Sequence, residues 1–179
     1  MRKYFLYYAG FNNQTGEEQV GVAKSVDLNK WEYVGDTPQV PLKSQGLHDF
    51  RQTSNPCVLK HNGLYKMWYQ GKSDSGFLSI CYAESKDGVS WKAYDEAVLA
   101  PNLSEEPKFR EGFQQPHVIF DKNKNIFKMW CVVYKKGLTS IGFCESVNGL
   151  IWSEIKITNL ASVDENLKYF YPFILKEND

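Results

Sequence analysis

The chain has 179 residues, 21 Lys plus Arg balanced by 21 Asp plus Glu, and an aromatic content of 15%. Its zero net charge gives no electrostatic case for gripping nucleic acid or an anionic membrane surface, and no apolar run reaches the ~18 residues of a membrane span. Abundant Tyr, Phe and Trp, with no Ala/Glu/Leu-rich stretch of useful length, favour strands over helices.

The N-terminus reads Met1-Arg2-Lys3 and then Tyr4-Phe5-Leu6-Tyr7-Tyr8-Ala9-Gly10. This apolar run is short and tyrosine-rich, and Asn12 and Asn13 follow it without a clear cleavage site, so it reads as a strand rather than a signal peptide. Val20-Gly21-Val22-Ala23-Lys24-Ser25 comes next, followed by Asp27 and Trp31. The same pattern returns as Tyr65-Lys66-Met67-Trp68-Tyr69, Ile80-Cys81-Tyr82-Ala83-Glu84-Ser85, Asp87-Gly88 and Trp91. It returns again as Phe127-Lys128-Met129-Trp130-Cys131, Ile141-Gly142-Phe143-Cys144-Glu145-Ser146, Asn148-Gly149 and Trp152. Trp31, Trp91 and Trp152 are thus spaced by 60 and 61 residues, the signature of a repeat array.

Each repeat has an opening strand marked by a proline: Asn55-Pro56-Cys57-Val58-Leu59, Gln115-Pro116-His117-Val118-Ile119 and Tyr171-Pro172-Phe173-Ile174-Leu175. Proline is tolerated at a strand start, where no ladder donor is needed. Asn62-Gly63 and the Asp121–Asn125 stretch supply hairpin turns, and Asp87-Gly88 and Asn148-Gly149 supply left-handed turn positions. Each repeat is therefore a four-stranded antiparallel meander. The predicted fold is all-β: a β-propeller with three blades per chain, in one domain spanning 1–179. One Trp per blade at a fixed place is expected to pack between blades rather than to meet a ligand.

The chain begins in the second strand of a blade and ends after the first strand of another, so its ends would complete one blade. Three blades are too few for an ordinary ring. Two readings follow: a homodimer in which terminal strands are exchanged into a six-bladed ring, or part of a longer propeller. The cysteines Cys57, Cys81, Cys131 and Cys144 form no CxxC pair and lie inside apolar strand patterns, so buried free thiols are expected, with no metal site and no cofactor. A cytoplasmic location is the accompanying expectation.

The blade motif, in particular Tyr65–Tyr69 followed by Ile80–Trp91, resembles the five-bladed propeller glycoside hydrolases, the families holding arabinanases, xylosidases, invertases and mannoside phosphorylases. The resemblance extends over nearly the whole chain through blade motifs, and it implies a carbohydrate partner at the central funnel. It also implies acidic residues from different blades at the starts of the inner strands, with an Asp directly before the strand proline in one or more blades. Here Asn55, Gln115 and Tyr171 stand before the prolines, and an amide cannot deliver a proton as a carboxyl does.

Carboxylates occur slightly upstream. If the chain is an enzyme, Glu111 is expected as general acid and Asp49 as base or nucleophile, with Arg51 and Arg110 orienting sugar hydroxyls or carboxylates. The alternative is that these are solvated loop charges. Glu165 is a weaker candidate. Asn55, Gln114, Gln115, His117 and Tyr171 can donate and accept hydrogen bonds around a funnel, which suits a sugar; His117 can equally be a packing residue. Three functions remain open on the sequence: a glycosidase, a non-catalytic glycan-binding or scaffold propeller, and a piece of a larger glycosidase.

Overall fold

Period-two alternation of apolar and polar side chains lets strands bury one face while the other meets a neighbour. The computed structural model describes residues 3–35, 39–40, 48–101, 112–161 and 166–175. Among them there is no helix, so no helix is long and apolar enough to cross a membrane. The strands are β1 (Tyr4–Asn12), β2 (Glu17–Ser25), β3 (Glu32–Tyr33), β4 (Gln52–His61), β5 (Leu64–Lys72), β6 (Leu78–Ser85), β7 (Lys92–Ala93), β8 (Gly112–Asp121), β9 (Ile126–Lys135), β10 (Leu138–Ser146) and β11 (Lys156–Ala161).

These strands form a single open mixed sheet, ordered β1-β2-β4-β5-β6-β8-β9-β10-β11, with β3 beside β2 and β7 beside β6. Within each repeat the pairing is antiparallel: β4-β5-β6-β7 forms one meander and β8-β9-β10-β11 the next. Successive units are joined by a single parallel bridge, Glu18 with Gln52 and Leu78 with Gly112. The units also stack face to face, β1 on β4 and β4 on β8. One core cluster (Val20, Val40, Met67, Tyr69, Cys81, Ala83) lies between the first and second units, and another (Trp68, Ile80, Tyr82, Val118, Phe127, Met129, Cys131, Cys144) between the second and third.

The contact between the first and second units is matched, with different side chains, between the second and third. The Tyr7 hydroxyl donates to the Gly88 carbonyl at 3.0 Å, and Trp68 Nε1 donates to the Gly149 carbonyl at 2.8 Å. Trp91 meets Tyr7 edge-on at 5.7 Å and Trp152 meets Trp68 edge-on at 6.1 Å. Glycine is required at this clasp on two counts: Gly149 has φ +80°, and a Cβ there would lie 2.8 Å from Trp68 Cζ2. The matching serines build the preceding turn, Ser85 Oγ accepting from Gly88 N and Ser146 Oγ from Gly149 N, each at 2.8 Å. Among the cysteines, all four are free thiols; Cys81, Cys131 and Cys144 are buried and Cys57 half-buried. Burial pushes the Cys57 thiol up to about 11 and the Cys144 thiol up to about 12.

The expected strand at Tyr171–Leu175 departs from the ladder. This stretch belongs to no named strand, although His117 Nε2 of β8 lies 3.3 Å from the Ile174 carbonyl. It is nonetheless anchored. The Lys168 ammonium donates to the Gly137 carbonyl, Tyr169 N donates to Thr139 Oγ1 at 2.7 Å, and Tyr171 N donates to Gln115 Oε1 at 2.7 Å.

Candidate functional site

The site is built on a backbone irregularity that recurs at the prolines. Asn55, Gln115 and Tyr171, the three residues before strand prolines, adopt φ of +49°, +54° and +53°. In β4 and β8 the ladder shifts register at this point, between Ser54 and Cys57 and between Gln114 and His117. Proline crowds the residue before it and disfavours helical backbone there, and a left-handed non-glycine residue costs roughly 1–3 kcal/mol. Three copies of the same costly backbone turn, two of them at a register slip, mark these steps as positions held by the surrounding fold. The prolines announce the place in the sequence; the sign of φ is not readable from it.

Around these starts lies a cavity of about 410 Å³ lined by Glu18, Gln52, Gln70, Lys72, Leu78, Gln114, Tyr134 and Phe170. Three strands of the second unit and its neighbours supply amides to it, and they are wired together. Gln52 Nε2 donates to Glu18 Oε2 and, at 2.8 Å, to Ser54 Oγ. Asn55 Nδ2 donates to Gln70 Oε1 at 3.1 Å and to Ser54 Oγ at 3.3 Å. Gln70 and Gln114 are each more than nine-tenths buried. The wall is therefore polar, amide-rich and fixed by internal bonds, with the Tyr134 and Phe170 rings at its side.

Glu18 was missed by the sequence reading. It sits in β2, not before an inner-strand proline, and reaches the cavity through the one-residue parallel bridge to Gln52. Its equivalent in the second unit, by the matching bridge, is Leu78. An acid where the next repeat carries leucine was the available signal.

The candidates drawn from the sequence separate. Gln114 lines the cavity and Asn55 bonds Gln70 in its wall, whereas Gln115 and Tyr171 are outside the lining, Gln115 being spent on holding Tyr171 N. His117 lies between inner strands: its Nε2 is 3.3 Å from the Ile174 carbonyl and its ring is 4.6 Å from Phe173. Burial lowers the His117 pKa. Cys57 occupies the same place one unit earlier, its thiol against the backbone of Val118, so the packing use of this position is common to both units.

Asp49 is only 1% exposed, and the Tyr69 hydroxyl donates to its Oδ2 at 2.6 Å. Burial, then the neighbouring Cys81 and Asp49, raises the Tyr69 pKa and keeps the phenol a donor. A Cβ on Gly71 would lie 2.9 Å from Asp49 Cβ and 2.8 Å from the His48 carbonyl, so the chain closes tightly over this carboxylate. Arg51 turns outward, its guanidinium bonded to Asp74 at 2.9 Å from NH2 and 3.1 Å from Nε, beside a shallow polar cavity of about 350 Å³. Arg110, Glu111 and Glu165 lie outside the described residues.

The fold has known counterparts. Over 84% of its length the chain superposes on sucrose-6-phosphate hydrolase from Lactobacillus gasseri, with a TM-score of 0.68, 18% identity and 30% of that chain covered. Fructan 1-exohydrolase IIa from Cichorium intybus matches over 89% of this chain and 30% of its own, with a TM-score of 0.67 and 14% identity. Zg3597, a family 117 glycoside hydrolase of Zobellia galactanivorans, matches over 89% of this chain and 54% of its own, at 0.66 and 15%. The chain shares the fold of these three proteins over most of its length. At these identities the likeness is one of fold.

No family model matches the sequence. Among curated proteins, the uncharacterized proteins Rv1502 and MT1551, from two strains of Mycobacterium tuberculosis, are each 27% identical over 161 residues, covering 84% of this chain and 50% of theirs. The chain thus spans about half the length of the relatives it matches.

Proposed function

We propose that this propeller chain binds a carbohydrate at the mouth of the funnel, in the cavity between Glu18, Gln52, Gln70 and Gln114. The amide wall carries the reading. Amide side chains both donate and accept, and Gln70, Gln114 and the Gln52–Glu18 pair surround about 410 Å³ with rings alongside. Sugars offer hydroxyls that need both kinds of partner, and an apolar face that suits Tyr134 and Phe170. A balanced charge fits a neutral ligand.

The experiment is glycan-array screening followed by calorimetry on the best oligosaccharide, with Gln114→Ala and Gln70→Ala beside the parent. Each truncation is expected to weaken binding by about tenfold, the 1.4 kcal/mol of a well-made buried hydrogen bond. Binding that is unchanged in both variants removes this site.

The hydrolytic form of the reading assigns Glu111 as acid and Asp49 as base or nucleophile. It requires Asp49 to leave its bond to Tyr69, since a glycosidase carboxylate must touch the anomeric centre or its water. Glu18 already lines the cavity and is the better placed carboxylate for proton transfer. Turnover of aryl glycosides that survives Asp49→Asn but is lost in Glu18→Gln assigns the chemistry to Glu18; loss in Asp49→Asn with an intact fold assigns it to Asp49.

A further inference from the structure

The cavity walled by Gln70 and Gln114 adjoins the shallow one beside Arg51. Gln52 and Lys72 line both, so the two spaces meet at this pair. The ladder puts them there. Gln52 and Lys72 are direct partners in β4 and β5, and Ser54 and Gln70 are the next pair on the same face. In the third unit the first of these places holds Gly112 and Tyr134. Tyr134 lines only the first cavity.

The second cavity, of about 350 Å³, owes a wall to a longer hairpin. Between β5 and β6 the chain runs through Ser73–Phe77, where the matching turn between β9 and β10 is Lys136-Gly137. The longer loop is held by its own bonds. Ser73 N donates to the Phe77 carbonyl at 3.0 Å, Gly76 N to the Ser73 carbonyl at 3.1 Å, and Phe77 N to Ser73 Oγ at 3.1 Å. Arg51 ties it to the start of β4: its guanidinium holds Asp74 at 2.9 Å, and its backbone N–H donates to the Lys72 carbonyl at 2.8 Å.

Lys72 is the group these walls leave unused. Lys66 and Lys128, half-buried on the second strands of their units, are each spent on a carboxylate, Glu84 at 3.0 Å and Asp121 at 2.7 Å. The Lys72 side chain belongs to a half-buried residue too, yet its ammonium has no hydrogen-bond or ion-pair partner among the described residues. Its N–H donors, at the meeting point of two cavities, call for acceptors from outside the chain. Charge decides which kind. The first cavity sets Glu18 against Lys72, and the second sets Glu17 and Asp74 against Arg51 and Lys72. Neither lining has an excess of one sign, so neutral hydroxyl and ether oxygens fit it better than an anion does.

We infer that the carbohydrate is an oligosaccharide of at least two neutral units, one in each cavity, with the link between them against Gln52 and Lys72. This rests on the carbohydrate reading above. It goes further in assigning a second subsite, beside Arg51, Asp74 and Ser75, and in fixing a minimum length for the sugar. One ring in the first cavity leaves the second unfilled.

Calorimetry on the 179-residue chain tests it with three probes. These are the best-binding trisaccharide on the glycan array, and the disaccharide and monosaccharide left when its units are removed from one end. The disaccharide should bind about tenfold more tightly than the monosaccharide. That ratio should fall to about twofold in Lys72→Met, which keeps an apolar stem and removes the donors, and in Asp74→Ala, which frees Arg51 from the loop. A ratio near one in the parent, or a parent-like ratio in both variants, overturns the inference and leaves the carbohydrate reading standing. An array on which no sugar binds removes both. If a variant fails to fold, the parent alone still decides. Bound disaccharide should slow acetylation of Lys72 by an amine-reactive ester, read by mass spectrometry, while the exposed Lys30 and Lys86 react as before. Equal rates at Lys72 with and without the disaccharide overturn the inference.

Discussion

At the scale of the residue, the turn before each repeated Trp shows how one motif is run with two chemistries. In the first and second units Asp27 and Asp87 accept two backbone N–H bonds each, Asp27 from Asn29 and Lys30, Asp87 from Val89 and Ser90. In the third, Asn148 takes the same two bonds from Leu150 and Ile151 with a neutral amide. The bonds to Ser90 and Val89 hold the Asp87 carboxyl down at about 2 from its usual 3.8, and those to Lys30 and Asn29 lower Asp27 as well. A carboxyl with a lowered folded-state pKa stabilises the fold above its unfolded value, and that contribution is lost as pH falls through the folded value. The parent chain should therefore lose stability between about pH 4 and pH 2, through these two turns among other carboxylates. The double variant Asp27→Asn with Asp87→Asn keeps both acceptors and removes the titration, as the third unit already does. Urea midpoints measured down this pH range should fall less steeply in the variant; parallel slopes would mean that the turns carry no acid-linked stability.

At the scale of the element, the all-β class was legible and the site only partly so. Alternation and the Asn-Gly and Asp-Gly turns located the ladder strands, because local pattern and local turn chemistry decide them. The prolines located the strands β4 and β8; the third, at Pro172, lies in a stretch that forms no strand. What the sequence could not carry is anything that depends on how units meet. Asp49 was expected near the funnel because it lies upstream of an inner strand, yet the close approach of Gly71 folds it under Tyr69. Glu18 reaches the cavity only through a parallel bridge between units, which leaves no trace in either strand. Gln115 is the element-level link that remains. Its side chain joins the third unit's bulge to the next inner strand through Tyr171 N. Gln115→Ala should release that amide, with protection of Tyr171 against hydrogen exchange falling about fivefold, since a single such bond is worth roughly 1 kcal/mol. Amides of β8 and β9 should keep their protection. Loss of protection throughout β8 would show instead that Gln115 supports the strand and not the segment beside it.

At the scale of the whole molecule, the clasp position between units differs in one of the three repeats, and that difference is measurable. The clasp site is Gly88 in the second unit and Gly149 in the third, but Leu28 in the first, held at φ +64°. Beneath Tyr7 and Trp68 the absence of a Cβ is what admits the ring: added atoms would lie 3.0 Å from the Tyr7 hydroxyl and 2.8 Å from Trp68 Cζ2. A side chain forced into a ring's place costs on the order of 1–3 kcal/mol at a packed site. Gly149→Leu puts the side chain that the first unit carries under Trp68, where a Cβ alone would lie 2.8 Å from Cζ2. The variant should unfold at a clearly lower urea concentration than the parent. Leu28→Gly, whose site already has a left-handed backbone at φ +64°, should leave the midpoint unchanged or raise it. An unaltered midpoint in Gly149→Leu would mean that the clasp accepts a side chain and that glycine there serves the turn alone.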